Sequence, residues 1–558
     1  MKLYNIKIHN FRSIKDVTIS ALPYTLIVGE NNAGKTNLIT AIRMFYEDGG
    51  LKYQRERDFP KFQTDDADSW VELSLYTTQD EQDGLKKEYQ TPDRILKVRR
   101  YFESDVGLAK SNQSNIYAYE NGTLSANLFY GAKNISQAKL GRVIYVPAAG
   151  KIDETFKLTG PSPFRELVNL VMKKAMQESG SYSNLQKAFE TFNEEFRKEE
   201  ESSGLSISSL VDDINQHIKH WGVGFGIDIN PIKPDDIVKS LLSHHLKDAG
   251  LGDHKVDVSA FGQGLQRHLI YTLLRLSSKY ATKPAQTKKE FSPDFSLLLF
   301  EEPEAFLHPT QQEVLFRSLQ DLSLQDDQQV IATSHSSKFV SKQITNLPGL
   351  VRVQKNRTCT ETHQLGDETL ATMLDDNLAP ARLLGEDKNP DFDEDEKISE
   401  EMLHYFLWLD SERSEAFFAK HVIICEGASE KVFLDYLVDK RWADLRERHV
   451  YFLDALGKYN IHRFMHLLTA LGIRHSVIHD KDEDKKNHAV WNSCIAKSKS
   501  SCTSAVHIFP GELEDFLCVP KAQRPNLKPM NVIKRYNAGE ISAERIAELE
   551  AIVRGQLS

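Results

Sequence analysis

The sequence predicts an α/β protein with two sheet-bearing parts, and three observations predict it. The apolar run TLIV leads into GENNAGKT and then into the helical pattern NLITAIRMFY, over 25–46. Near the other end, KHVIICEG, SEKVFLDYLVDK, HVYFLDA, IHRFMHLLTALG and IRHSVIHDKD alternate strand and helix patterns, which gives a small parallel α/β domain. Between them, the stretch from 161 to 251 carries apolar residues at three- and four-residue spacing, as amphipathic helices do.

Taken in order, MKLYNIKIHNFRSI alternates apolar and polar side chains, with Ile6 and Ile8 on one face of a half-buried strand. VELSLY and ILKVRRYF are further strands, and GRVIYVPA at 141–148 closes this portion. FRELVNLVMKKAMQ, NLQKAFETFNEEFRKEE and SLVDDINQHIKHW are helices of an insertion. FSLLLFEEPE and QQVIATSHS restore short apolar strands, so a discontinuous first domain resumes after Val256. The acidic run GEDKNPDFDEDEK at 385–397 cannot bury itself and marks a linker. The expected boundaries are 1–158 and 253–380 for the discontinuous domain, 159–252 for a helical insertion, 381–415 for the linker and 416–558 for the second domain.

At 558 residues there is room for about three or four units of ordinary size. Hydrophobic residues at 40% and charged residues at 27% exclude a disordered or fibrous chain. No apolar stretch approaches the roughly 20 residues of a membrane helix. No secretory signal opens the chain, so a cytoplasmic protein is expected, with no membrane partner. Five cysteines without a C-x-x-C pair suggest reduced structural thiols. A net charge of -10 argues against whole-surface attraction to DNA, so nucleic-acid contact must be local. Candidate patches are Lys97, Arg99 and Arg100; Lys481, Lys485 and Lys486; and Lys521, Arg524, Lys528, Lys534 and Arg535.

GENNAGKT matches G-x-x-x-x-G-K-[ST] in the strand–loop–helix context that motif requires. Backbone N–H groups from Gly29, Asn32 and Gly34 and the positive helix end surround phosphates, Lys35 neutralises the outer ones, and Thr36 offers a hydroxyl to Mg²⁺, with Asn37 beside it. LLLFEEPEAFLHP delivers acids at a strand end, where Glu301 holds the metal through water and Glu302 polarises the attacking water. His335 in IATSHS is placed to sense the terminal phosphate. In SAFGQGLQRH, Gly262 and Gly264 open a helix and permit close approach to a phosphate. Together with NFRSI, these motifs resemble an ABC-type ATPase of the SMC and RecF kind. That resemblance implies a head that dimerises around ATP. Glu-Glu in place of Asp-Glu, and the degenerate signature SAFGQG, fit slow hydrolysis or ATP acting as a switch.

In the second domain Glu426 ends an apolar strand and Glu430 follows one helical turn on, so both carboxylates can face one point. Asp480 and Asp482, two residues apart, share a side if the segment is extended. Such a cluster is costly unless hard divalent cations, Mg²⁺ or Mn²⁺, neutralise it. Two ions about 4 Å apart can activate water and stabilise the leaving oxygen of a phosphodiester. Glu512 and Glu514 in HIFPGELEDFL are further ligand candidates, Glu514 being preferred. Lys528 is a candidate to stabilise transition-state charge, with Lys534 the runner-up.

The EG motif followed by DxD resembles the Toprim domain of topoisomerases, primases and nucleases. The whole arrangement, including DALGKYN at 454–460, resembles the overcoming-lysogenisation-defect (OLD) family of nucleases: an ABC-type head with a helical insertion, then a Rossmann-like Toprim sheet. The resemblance implies an ATP-regulated, metal-dependent DNA endonuclease acting in defence against phage, as a homodimer or larger homo-oligomer held through the ATPase head and the helical insertion at 159–252. Some members work with a helicase-like protein or beside a retron reverse transcriptase and its DNA. Two competing expectations are a RecF-like DNA clamp that binds without cutting and a nuclease that acts on RNA. A topoisomerase would need a tyrosine on a strand-passage domain for which the chain has no evident room.

Overall fold

The computed structural model describes residues 1–148, 179–196, 206–227, 233–240, 295–342, 344–384, 394–482 and 487–557, with shorter stretches within 162–293. Half of FRELVNLVMKKAMQ, most of the acidic run at 385–397, and Lys485 and Lys486 lie outside the described residues. The chain divides into two compact units, one of Met1–Ala148 with Lys288–Ser558 and the other of Ala149–Thr287.

The strands before the insertion are β1 (Lys2–Phe11), β2 (Ile14–Ser20), β3 (Tyr24–Gly29), β4 (Ser69–Tyr76), β5 (Ile95–Glu103), β6 (Ile116–Glu120), β7 (Thr123–Leu128) and β8 (Arg142–Val146). In the second unit, β9 (Leu246–Lys247) pairs with β10 (Lys255–Val256). Then come β11 (Ser296–Glu301), β12 (Gln328–Thr333), β13 (Leu350–Asn356) and β14 (Cys359–Gln364). The last four are β15 (His421–Cys425), β16 (Val450–Asp454), β17 (Arg474–Asp480) and β18 (Thr503–Phe509).

In the first unit, one sheet is antiparallel, in the order β2-β1-β4-β5-β6-β7. Ile6, Ile8, Val71, Leu73, Leu96 and Val98 send one face of it into a core shared with the helix Lys35–Phe45. The second sheet runs β14-β13-β3-β12-β11-β8, parallel except for β14, and the third runs β16-β15-β17-β18, all parallel. Every residue of β12 and of β15 is buried, as expected of central strands in sheets covered on both faces. The hairpin β13–β14 had no forecast from periodicity, yet β13 pairs with β3 and β14 closes that edge.

Lys97, Arg99 and Arg100 do not form a basic patch. Arg99 gives two hydrogen bonds to Glu72 and stacks on Trp70, and Arg100 is buried with its guanidinium on the carbonyls of Met44 and Phe45. Alternation along β5 sent these neighbours to opposite faces, each to a partner already waiting.

The nucleotide-loop sheet and the third sheet meet within the same unit. Arg352 of β13, level with Val28 of β3, donates to the carbonyls of Gly472 (3.0 Å) and Ala419 (3.2 Å). Lys420, just before β15, pairs with Glu30 of the glycine loop at 3.3 Å. The helix Glu394–Trp408 adds a buried ion pair, with Arg463 contacting Glu401 at 2.6 and 2.9 Å. Burial opposes the Glu401 charge, but His404 and Arg463 outweigh it and hold the carboxyl down at about 2. A depressed carboxyl stabilises the fold above its ordinary pKa and loses that contribution as pH falls. Glu401→Gln is therefore expected to cost about 3 kcal/mol at neutral pH and to remove this group's share of the stability lost as pH falls from about 4.5 toward 2. Urea unfolding across that pH range measures both effects.

The second unit contains the helices Gly180–Phe196 and Ile207–Ile218. Leu185, Phe192, Phe196, Leu210, Trp221 and Phe225 are exposed on it, and Phe192 stacks on Phe196 at 5.2 Å. Among the described residues, no helix is long and apolar enough to cross a membrane.

Candidate nucleotide and metal sites

β3 delivers the glycine loop to the start of the helix Lys35–Phe45. Gly34 has φ 113°, and a Cβ there would lie 2.2 Å from Thr360 Oγ1, so only glycine fits. The loop is pinned from behind. Thr360 of β14 donates to Ala33 O at 2.9 Å and shares a 2.7 Å hydrogen bond with Ser13, which in turn accepts from the Asn37 amide at 2.8 Å. Asn37 thus ties the loop to the NFRS turn. Thr36 is exposed, with its hydroxyl at the helix start, and Asn32 holds a left-handed φ of 63°.

Lys35 is buried and folds back onto the loop, donating to Gly29 O and Glu30 O at 2.8 Å each. Burial lowers its pKa to about 8, against the opposing fields of Glu302, Glu304, Glu30 and Glu301. The strand-end acids of β11 thus act electrostatically on the loop lysine. Glu301 receives a hydrogen bond from Tyr145, while its Oε1 is buried without a partner. Glu302, in a left-handed conformation, lies 3.4 Å from His335 Nε2. Burial and Lys35 lower the His335 pKa, and Glu302 opposes them. Glu304, the third acid of EEPE, accepts from the His335 backbone N–H at 2.6 Å, and burial raises its pKa. Its part was hidden in the sequence, because only the fold of the loop after β11 turns it back toward β12. Gly262 and Gly264 lie in the second unit, where the Gln266 side chain donates to Val258 O at 2.9 Å.

In the third sheet the carboxyl ends of β15, β16 and β17 lie side by side, the usual place for ligands in parallel sheets. Glu426 follows β15, and Asp480 ends β17. Ligand atoms of Glu426, Asp480 and Asp482 lie within 4.8 Å of one another. The Asp480 N–H donates to Glu426 Oε2 at 3.1 Å, which fixes the two strand ends together. Asp482 arrives by a different route from extended alternation. β17 stops at Asp480, and Asp482 turns inward with φ 48°, a left-handed conformation that Asp tolerates better than most residues.

Glu430 is in the first turn of the helix Ala428–Lys440 and accepts from Gly427 N at 3.1 Å. Burial, with Glu426 and Glu514 adding repulsion, raises it to about 7. Burial, with Glu430, Glu426 and Asp482, raises Asp480 to about 8, opposed by Lys458. Asp480 Oδ1 and Glu514 Oε1 are buried without hydrogen-bond partners. An oxygen-only donor set whose charges are costly to one another, with buried lone pairs left over, fits hard divalent cations. Glu512 differs from the other candidates. It accepts from Lys528 at 2.8 Å, and Lys521 lies 3.6 Å away. Burial works against the Lys528 charge, but Glu512, Glu514 and Asp480 outweigh it and raise its pKa.

In the acidic pocket, sequence reasoning passed over Lys458. It is 1% exposed, and its ammonium lies 2.6 Å from Asp480 O, 3.4 Å from Asp482 Oδ2 and 3.8 Å from Glu426 Oε2. The motif DALGKYN that contains it was visible, but the sheet order that brings the end of β16 to this pocket was not.

Comparison with known proteins now adds to this geometry. A family model described as AAA ATPase domain matches residues 1–137 and 164–340, and one described as overcoming lysogenization defect protein-like, TOPRIM domain, matches 417–482. The chain is 24% identical over 501 residues to the Old nuclease of Escherichia phage P2, covering 86% of this chain and 77% of that protein. It is 22% identical over 507 residues to the OLD nuclease of Thermus scotoductus, covering 86% and 82%. It is 23% identical over 587 residues to endonuclease GajA of Bacillus cereus strain VD045, covering 98% and 87%. A solved SMC head bound to the C-winged helix domain of ScpA overlaps 67% of this chain and 100% of its own, with a TM-score of 0.39 and 16% identity.

Proposed function

The chain belongs to the AAA ATPase family and carries the TOPRIM domain of the OLD proteins, and from that premise we propose that it is an ATP-regulated, divalent-metal-dependent DNA endonuclease that nicks or cuts its substrate. The observation that carries this reading is the convergence of Glu426, Asp480 and Asp482, with Asp480 Oδ1 left buried and unpartnered. Glu430 and Glu514 complete the ligand set for Mg²⁺ or Mn²⁺. A cation bound there supplies charge to a water nucleophile and to phosphodiester oxygens. Lys528, positioned by Glu512 and within the field of Asp480, faces the charge that develops on the phosphate. At the other site the loop of Gly29, Asn32, Gly34, Lys35 and Thr36 cradles ATP. Glu301 serves its Mg²⁺, Glu302 orients water, and His335 senses the terminal phosphate. The relatives named Old nuclease and GajA support a role in defence against phage.

The test is supercoiled plasmid with Mg²⁺ or Mn²⁺, with and without ATP, beside a single-stranded RNA substrate. Nicking or linearisation by the parent, and none by Asp480→Asn, is expected. No cleavage of any nucleic acid under any nucleotide condition would overturn the reading in favour of a clamp, and cleavage of RNA alone would move the substrate class.

Self-association through the insertion is part of the same proposal, supported by the exposed apolar side chains of the second unit. Phe192→Glu combined with Leu210→Glu is expected to halve the mass seen by light scattering or shift it to a smaller assembly. An unchanged mass would assign the contact to another surface.

A further inference from the structure

Among the described lysines that reach the acids of the third sheet, Lys458 differs by where its charge is held. Lys521 and Lys528 reach their acids from the rim of the domain, with side chains 50% and 29% exposed. Lys458 is enclosed, and its ammonium lies within 4 Å of an oxygen from each of Asp480, Asp482 and Glu426, the residues that form the acidic pocket. The backbone that carries it is fixed to the same residues. Gly457 N donates to Glu426 O at 2.7 Å and Ala455 N to Cys425 O at 3.0 Å, so the turn after β16 is fastened to the end of β15. Gly457 itself has φ 111°, a conformation that lets the chain reverse there and start the helix Lys458–Ala470 with the lysine pointing at the acids. His488 Nδ1 lies 3.5 Å from Asp482 Oδ2. Glu430 and Glu514 add their fields to the pocket from two further elements.

We propose that Lys458 is a built-in counter-ion of the carboxylate pocket. It holds the ends of β15 and β17 converged before any divalent ion arrives, and it restrains the affinity of the pocket for that ion. The inference rests on the reading of Glu426, Asp480 and Asp482 as a cation site. The physical reason is that a fixed positive charge within 4 Å of two carboxylates offsets their mutual repulsion and repels an incoming cation, and both effects are strong where water is excluded. A pocket tuned in this way loads best when a phosphodiester brings additional negative charge. Lys458 is thus a positioning residue that couples ion loading to substrate.

Calorimetric titration of the full chain with Mn²⁺, and its melting temperature without metal, test this on the parent, Lys458→Met, Lys458→Arg and Asp480→Asn. Lys458→Met is expected to melt lower without metal, to bind Mn²⁺ at least ten-fold more tightly than the parent, and to recover its melting temperature when Mn²⁺ is added. Lys458→Arg, which keeps the charge, is expected to restore the parent affinity. Equal or weaker Mn²⁺ binding by Lys458→Met overturns the proposal. If that variant does not fold without metal, recovery of the parent circular dichroism spectrum on refolding with Mn²⁺ supports it, and no recovery at millimolar Mn²⁺ overturns it. Mn²⁺ binding by Asp480→Asn at parent strength would instead remove the cation site itself.

Discussion

Asp480→Asn is expected to reduce DNA cleavage by about 10³-fold or more, the scale on which loss of a charge-stabilising group in an active site is felt, while the protein stays folded. Asp480 ends a fully buried stretch of β17, and the substitution keeps its shape and its backbone bond to Glu426. What it removes is one of several acids that burial and proximity set against each other, the one raised to about 8. Activity and stability should therefore move in opposite directions. Metal-free melting temperature is expected to hold or rise, by an amount equivalent to about 1 kcal/mol, as is common when a strained functional site is relaxed. Plasmid cleavage and scanning calorimetry on one preparation measure both. Cleavage at the parent rate would place the scission chemistry elsewhere in the chain.

Lys35→Ala is expected to weaken nucleotide binding by about 2–5 kcal/mol, the usual result of truncating one partner of a buried charge pair. The ammonium donates to Gly29 O and Glu30 O, and burial has lowered its pKa to about 8. Phosphate oxygens give that charge a better partner than two carbonyls. The alanine variant loses this contact and leaves the carbonyls uncapped. Titration with a fluorescent ATP analogue reads the affinity directly. Plasmid cleavage by the same variant then shows whether cutting needs the nucleotide. An affinity within a factor of two of the parent would mean that the loop does not hold phosphate.

How much of this was legible in the sequence follows from how local each feature is. The loop of Gly29 to Thr36 depends on a strand, a turn and a helix contiguous in the chain, so motif and context were enough. Glu426 with Glu430 needed only a strand end and one helical turn. Asp480 was visible as a strand end, but the inward turn of Asp482 depends on a left-handed residue that no periodicity announces. Lys458 was hidden because β17, which carries Asp480, pairs with β15 out of sequence order, and Glu304 because only the loop after β11 turns it back toward the end of β12. The opposite error occurred with Arg99 and Arg100. Adjacent in sequence, they looked like one basic surface until alternation along β5 separated them.

The seam held by Arg352 has a consequence for any attempt to divide the chain. A fragment limited to 416–558 would present the carbonyls of Ala419, Leu471 and Gly472 without the guanidinium that now caps them, and Lys420 without Glu30. The ATPase fragment would keep Arg352 bonded to Gln354 Oε1 but stripped of the carbonyls that take its other protons. A cut between the glycine loop and the acidic pocket thus runs through contacts that both sides use, so each side is expected to lose stability without the other.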